Sequence, residues 1–291
     1  MQKYQLAGMG KVYTYNNIRW KVSINPIHLK KLKGGKIMEN EVITQTQHEG
    51  GVNMKKAMVV FSGGIDSTTC LAMAVDKYGA ENVIAISFTY GQKHSIELEC
   101  AKKITEYYGV KHIIRDMTEV YKDNKTCKLL AGNDDVEHTR YEDQTEANGH
   151  HAVDTYVPFR NGLMLSYAAA LAVEENAEVI FYGSHADDAE GNAYPDCSTA
   201  FNKAMGEAIY EGTGGEVRVE GLIINLHKNE VISKGLELGA PYYLTWSCYE
   251  GREKPCGTCP SCRKRIESFL ANGVLDPVDY EDDTYNRLEE K

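Results

Sequence analysis

From Lys56 onward the apolar residues fall in short blocks that switch between two periods. Residues 56–61 form a continuous apolar block of strand length, and a glycine turn follows. Cys70-Leu71-Ala72-Met73-Ala74-Val75 then carries helical spacing as far as Gly79. Residues 83–88 predict a second strand, residues 95–108 an amphipathic helix stopped by Gly109, and residues 111–116 a third strand. Further along, 161–176 predicts an Ala/Leu-rich helix, 178–182 a strand, 198–210 a helix, 222–226 a strand and 229–238 a helix ending before Gly239. Strands alternating with helices imply βαβ units, a parallel sheet and right-handed crossovers, hence an α/β, Rossmann-like domain. Ligands of such sheets bind beyond the C-terminal ends of the strands.

Two stretches break the pattern. Residues 122–154 are polar and weakly periodic, and read either as a lid or partner surface or as a solvated loop. Residues 1–53 show no clear period and no strand–helix alternation, and the regular pattern starts abruptly after Met54. Glu49-Gly50-Gly51-Val52 just before it can be encoded by GAAGGAGGTG, a strong bacterial ribosome-binding sequence. Residues 1–53 are therefore expected to be translated leader, with Met54 as the true start; the alternative is a genuine N-terminal arm.

Charge sharpens this division. Residues 1–53 hold eight Lys/Arg against three Asp/Glu, for +5, and the remaining 24 and 39 leave −15 on the rest of the chain. A body this acidic is a poor binder of polyanions, so no nucleic-acid partner is expected. No apolar run reaches eighteen residues and the N-terminus lacks the core of a secretory signal. The expectation is a cytoplasmic protein with no membrane partner and with reduced thiols, which favours metal binding over disulfides for its eight cysteines.

Candidate chemistry sits in two strings. Ser62-Gly63-Gly64-Ile65-Asp66-Ser67 follows a predicted strand and opens a helix. Its glycines let backbone amides turn toward an anion, and helix-start amides stabilise phosphate. Ser62 and Ser67 can donate hydroxyl hydrogen bonds. Asp66 would repel a bare phosphate, which suggests Mg²⁺ or a structural hydrogen bond. The loop lacks the lysine of a Walker motif, so it is not read as a kinase or GTPase. The second string is Cys248-x7-Cys256-x2-Cys259-x2-Cys262. Four thiolates at this spacing suit a closed, structural Zn²⁺ site, one per subunit. An iron–sulfur cluster, unrelated buried thiols and a disulfide pair are the alternatives. Arg252, Lys254, Arg263, Lys264 and Arg265 lie nearby and can offset the negative centre. A helix over residues 263–271 follows the last ligand. The domain expectation is an ATP-binding α/β domain over 54–240 and a zinc-binding C-terminal region over 241–291.

The six-residue loop resembles the PP-loop of the N-type ATP pyrophosphatases. This resemblance implies ATP as co-substrate, cleaved between its α and β phosphates to adenylate a substrate oxygen, which a nitrogen or sulfur nucleophile then displaces with AMP. Further strings narrow it: Phe61-Ser62-Gly63-Gly64-Ile65-Asp66-Ser67-Thr68-Thr69-Cys70-Leu71; Val157-Pro158-Phe159-Arg160-Asn161; Gly183-Ser184-His185-Ala186-Asp187-Asp188; Tyr194-Pro195-Asp196-Cys197; and the four-cysteine tail. Over residues 54–281 the chain resembles the 7-cyano-7-deazaguanine synthase (preQ0 synthase) family of queuosine biosynthesis, from which the first 53 residues depart.

The resemblance implies a carbon–nitrogen ligase acting on 7-carboxy-7-deazaguanine, ammonia and ATP, by way of an adenylated acid and an amide, and it suggests a homodimer. It places phosphate and its Mg²⁺ on the 61–71 string. Asp66, Arg160 and Lys228 are the expected catalytic residues. Arg160 pairs with the substrate carboxylate or a phosphate, or else forms a helix-start salt bridge. Asn161 reads a purine-like edge or caps its helix. Asp187, Asp188 and Asp196 bind Mg²⁺ or guanine-like N–H groups, or are loop and cap carboxylates. His185 shuttles a proton or is structural. Lys228 neutralises an adenylate or is a surface lysine. Tyr90-Gly91-Gln92 receives the adenine end of ATP. Two other readings stand beside this one: a tRNA-thiolating PP-loop enzyme, which needs a basic surface, and a non-catalytic zinc-knuckle module that binds a nucleotide.

Overall fold

Five short strands, four of them built on β-branched and apolar residues, pair into a parallel sheet in the computed structural model, which describes residues 11–15, 18–22, 46–47 and 55–287 except 94, 135, 137, 140, 150, 191 and 192. The chain divides into two compact units, residues 1–53 and 54–291. In the first, β1 (Lys11–Tyr15) and β2 (Ile18–Val22) pair antiparallel with Lys11 opposite Val22, and β3 (Thr46–Gln47) adds to β2. The sequence reading gives this stretch no regular element. Its strands are rich in Val, Tyr, Thr, Ile and Trp, and interspersed lysines obscure the alternation. Most of the stretch read as a leader lies outside the described residues.

In the second unit the strands are β4 (Lys56–Val60), β5 (Val83–Thr89), β6 (Lys111–Asp116), β7 (Ala177–Phe181) and β8 (Arg218–Glu220), ordered β6-β5-β4-β7-β8. Alternate residues supply the two faces. Ala57, Val59, Ala85, Val179 and Phe181 pack with α1 (Ile65–Tyr78), α2 (Ile96–Tyr108), α8 (Lys228–Glu237) and α9 (Pro260–Ala271). Met58, Ile84, Ile86 and Ile180 pack on the other side with α5 (Arg160–Glu175) and α7 (Thr199–Gly212). Central strands buried on both faces explain the continuous apolar blocks of the sequence.

One strand differs from expectation. The apolar run at 222–226 is a turn, closed by Ile224 N–H to Gly221 O and Leu226 N–H to Ile223 O, with Ile223 buried beneath it. The strand is the preceding Arg218-Val219-Glu220, at the sheet edge, where charged side chains suit a half-exposed position. Short apolar runs do not by themselves separate strand from buried turn.

The 122–154 stretch carries one short helix, α4 (Tyr141–Ala147), after the single-turn α3 (Thr118–Tyr121), and the single-turn α6 (Ala186–Ala189) follows β7. It docks on the end of β5 through Lys93 N–H to Leu129 O and Ala131 N–H to Gly91 O. The cysteine region belongs to the same compact unit as the sheet, since α9 packs on α8. No helix among the described residues is long and apolar enough to cross a membrane.

Candidate active site

The strand order reverses between β4 and β7, because β5 and β6 extend the sheet one way and β8 the other. A crevice opens beyond strand ends at such a point. Here it is a cleft of about 540 Å³. The loops after β4 and β7 form its floor and touch: a Cβ on Gly183 would stand 2.9 Å from the Ser67 backbone N.

The Ser62–Ser67 loop is held by its own hydroxyls. Ser67 Oγ accepts from Ser62 N–H at 3.2 Å, donates to Gly64 O at 3.2 Å and pairs with Ser62 Oγ at 3.1 Å. Gly63 has φ +91°, and a Cβ there would lie 2.4 Å from the Glu97 carbonyl oxygen. Only glycine lets the loop lie this close to α2. No side chain caps the start of α1, so its positive end faces the cleft.

Charged groups from three distant segments converge beside this loop. Lys228 Nζ donates to both carboxylate oxygens of Asp66 at 2.6 Å. His185 Nε2 lies 3.7 Å from Asp66 and 3.3 Å from Asp188. Burial pushes the Asp66 carboxyl up, but Lys228 and His185 outweigh it and hold Asp66 below its usual range. Burial raises Asp188, where the neighbouring Asp66 charge adds to the effect against the pull of His185. Asp187 is partly buried, yet His227 Nδ1 at 2.6 Å and Lys264 Nζ at 2.9 Å pull it down to about 2. Lys264 lies on α9, so this pair ties the cysteine region to the β7 loop.

The same cleft holds Arg160. Its Nη1 donates to Tyr90 OH at 3.0 Å and its guanidinium lies 5.3 Å from that ring's centroid. Among the described residues no carboxylate stands within ion-pair distance of it, so the helix-start salt bridge is not formed. A guanidinium set in a cleft with only a phenol as polar partner is a site for an anion.

Of the other expected residues, Asn161, Asp187, Asp188, His185 and Lys228 line the cleft, as do Phe61, Ser62, Gly64, Ile65, Asp66 and Ser67. Thr68, Thr69, Cys70 and Leu71 do not; they are buried within α1, where Thr69 Oγ1 meets Tyr242 OH at 2.7 Å. Asp196 also lies outside the lining. Its Oδ2 accepts Asn161 N–H at 2.9 Å at the start of α5, and Asn161 Nδ2 bonds back to Asp196 O at 3.2 Å. The two residues thus fix one another, and Asp196 acts as the cap of α5. Of Tyr90-Gly91-Gln92, Tyr90 and Gln92 line the cleft.

Glu97, which the sequence reading passed over, lines the same cleft. Its side chain makes no hydrogen bond or ion pair with any described residue, and burial pushes it up to about 7 against the pull of Arg160. In sequence it is a first-turn acid of an amphipathic helix, with no local sign of function.

The four expected cysteines converge. The sulfurs of Cys248, Cys256, Cys259 and Cys262 lie within 4.8 Å of one another, all buried. Cys248 Sγ accepts N–H from Glu250 at 3.4 Å and Cys256 at 3.3 Å, and Cys256 Sγ from Thr258 at 3.4 Å and Cys259 at 3.2 Å. Amides aimed at sulfur are the donors that a thiolate set needs, and four such sulfurs fit a zinc ion. The nearby cations are mostly engaged elsewhere. Arg265 is buried and grips Asp276, Lys264 pairs with Asp187, and Arg252 pairs with Glu250 and Glu281. Arg265 thus pairs with Asp276 while its charge also acts on the Cys262 sulfur. Trp246, Ser247, Tyr249 and Ser261 from this region form a further wall of the cleft.

The family model described as "Queuosine biosynthesis protein QueC" matches residues 56–273. The 7-cyano-7-deazaguanine synthase of Archaeoglobus fulgidus is 39% identical over 224 residues, covering 77% of this chain and 89% of that protein. That of Caldicellulosiruptor bescii is 42% identical over 226 residues, 78% of this chain and 97% of that protein. Among solved structures, an NMN synthetase from Francisella tularensis covers 76% of this chain and 78% of its own, with a TM-score of 0.42 and 18% identity.

Proposed function

The chain belongs to the QueC family of queuosine biosynthesis proteins, and from that premise we propose that it uses ATP and ammonia to convert 7-carboxy-7-deazaguanine, through the amide, into 7-cyano-7-deazaguanine. The observation that carries this reading is that an anion-ready phosphate loop and the guanidinium of Arg160, free of any described carboxylate, line one cleft. Carboxylate and amide oxygens are poor leaving groups, and adenylation makes each a good one.

The residues divide the work by charge. Ser62, Gly63, Gly64, Ile65 and Ser67, with the start of α1, hold the pyrophosphate end of ATP. Asp66 is the carboxylate that would hold Mg²⁺; the ion supplies neutralisation of phosphate charge when bound. Lys228 neutralises the phosphoryl oxygens. Arg160 takes the substrate carboxylate. Asp187 is spoken for by His227 and Lys264, so it orients the β7 loop, and Asp188 with His185 supports Asp66. Asn161 presents the cleft wall on which the deazaguanine ring rests. Phe61 and Thr68 through Leu71 position the loop from below. Cys248, Cys256, Cys259 and Cys262 hold one structural Zn²⁺ per subunit, which keeps the Trp246–Tyr249 wall in place. The functional unit is a cytoplasmic homodimer, as the family resemblance implies.

The test is direct. The protein is incubated with ATP, Mg²⁺, ammonium and 7-carboxy-7-deazaguanine, and products are read by mass. A nitrile with stoichiometric AMP is expected, and an acid that stays unchanged while ATP is present would reject the reading.

A further inference from the structure

The proposed reaction must remove protons from nitrogen in both halves, and none of the groups assigned so far does so. The carboxylates along the cleft are mostly committed. Asp66 is held by Lys228, Asp187 by His227 and Lys264, and Asp188 lies against His185. Glu146 and Glu190 also line the cleft but are exposed. Glu97 is different: it is partly buried, lines the cleft and has no hydrogen-bonding or ionic partner among the described residues.

Its position is also informative. Glu97 lies in the first turn of α2, and its carbonyl oxygen is the atom that forbids a Cβ on Gly63 of the phosphate loop. Its side chain shares the cleft with Arg160, whose charge acts on it. With the substrate's acid group on Arg160 and the pyrophosphate leaving ATP in the loop, the reacting carbon lies in the cleft that Glu97 also lines.

We infer that Glu97 is the catalytic base that takes protons from nitrogen in both steps, an inference that rests on the function proposed above. In the first step ammonia attacks the acyl carbon of the adenylate. The C–N bond forms, a nitrogen proton moves to Glu97, and the C–O bond to AMP breaks to leave the amide. In the second, the amide oxygen displaces pyrophosphate from ATP to give a protonated O-adenylyl imidate. This species loses its nitrogen protons, the first to Glu97, and the C–O bond to AMP breaks as the nitrile forms; the protons pass on to solvent. No oxidant or reductant is needed. Burial that lifts Glu97 to about 7 suits a base working at neutral pH.

The experiment separates activation from nitrogen chemistry. ATP–pyrophosphate exchange that depends on 7-carboxy-7-deazaguanine reports adenylation alone, and amide and nitrile formation report the nitrogen steps. Glu97→Gln in the full chain is expected to keep exchange within about twofold of wild type and to lose amide and nitrile formation by roughly 100-fold or more. With the amide as substrate, so that ammonia does not titrate, wild-type nitrile formation should show an acid limb near 7, and Glu97→Asp should restore a measurable rate with that limb displaced. Glu97→Gln that still makes nitrile at the wild-type rate overturns the inference, as does loss of exchange in parallel with nitrile, which marks a positioning role. Should Glu97→Gln fail to fold, an acid limb absent from wild type overturns the inference by itself. Wild-type protein that shows no acid-dependent exchange overturns the underlying function instead.

Discussion

Both carboxylate oxygens of Asp66 lie 2.6 Å from the Lys228 ammonium, joining the first turn of α1 to the first turn of α8 across 162 positions of sequence. The pair sets the resting charge balance of the phosphate loop. Lys228 keeps a third N–H donor and Asp66 keeps lone pairs beyond those used in this contact, so the pair holds both groups beside the loop with capacity left for a phosphate and its metal.

Asp66→Ala should therefore abolish turnover, with a loss in kcat of at least about 100-fold, as expected when a preorganised charge next to the reacting phosphates is removed. Zinc content and the far-ultraviolet circular dichroism should match wild type, because the cysteine site lies on other elements. Pyrophosphate release measured on the purified variant checks it. Turnover close to wild type would remove Asp66 from the site.

Arg160→Ala should raise the KM for the carboxylate substrate by roughly 30-fold or more, about 2 kcal/mol, with a smaller effect on the KM for ATP. Arg160→Lys should recover little of this, since an ammonium cannot present two parallel N–H donors to a carboxylate. Steady-state kinetics with each substrate varied in turn distinguishes the outcomes. A rise confined to the KM for ATP would move Arg160 to the phosphates.

The parts of this site legible in the sequence are those whose chemistry is local. The loop from Ser62 to Ser67 and the cysteines at 248, 256, 259 and 262 are short strings whose members lie close in sequence, and both sets come together as read. The strand–helix alternation was equally legible, because strands buried on two faces write continuous apolar blocks. What the sequence left open was whatever depends on distant partners. Asp196 looks like a ligand beside Tyr194-Pro195 but is taken up by the Asn161 amide. Arg265 reads as a counter-charge to thiolates, and only the fold adds its pairing with Asp276. Glu97 looks like an ordinary helix-start acid, and only the packing of α2 against Gly63 brings it to the cleft.

Cys259→Ser should lose zinc and loosen the C-terminal region, since a structural zinc site contributes folding free energy directly. Trp246 reports on this, being buried and bonded through its Nε1–H to Cys248 O at 2.8 Å. Metal analysis should show less than one zinc per chain, and indole fluorescence should shift toward that of an exposed ring. Activity should fall with it, because Trp246 and Tyr249 line the cleft. A zinc-free variant of full activity would show that the four thiols serve some other purpose.

Acid should weaken the fold in part through Asp187. Burial raises its carboxyl, but His227 and Lys264 win and hold it near 2 against an ordinary value of 3.8. Because the folded value lies below the unfolded one, the unfolded chain binds the proton more readily. The stability from this group is full above about 4 and is lost as pH falls toward 2, amounting to roughly 2 kcal/mol at most. Chemical denaturation at pH 7 and pH 3 should show a smaller acid-induced loss for Asp187→Asn than for wild type. Equal losses would mean that the carboxylate is not held by these partners in solution.

Gly183→Ala tests the contact between the two loops that make the cleft. A Cβ at 183 would meet the Ser67 backbone N at 2.9 Å and the Asp66 carbonyl carbon at 3.1 Å, and backbone on both sides leaves no flexible side chain to yield. Overpacking of this kind costs about 1–3 kcal/mol. The start of α1 must move away from the β7 loop, and with it the serine and aspartate that face the phosphate. The KM for ATP should rise and the melting temperature fall, while Gly212→Ala, whose Cβ meets nothing within 4 Å, should leave both unchanged. If Gly183→Ala behaves like Gly212→Ala, the loops do not touch in solution and the phosphate site is wider than the structure shows.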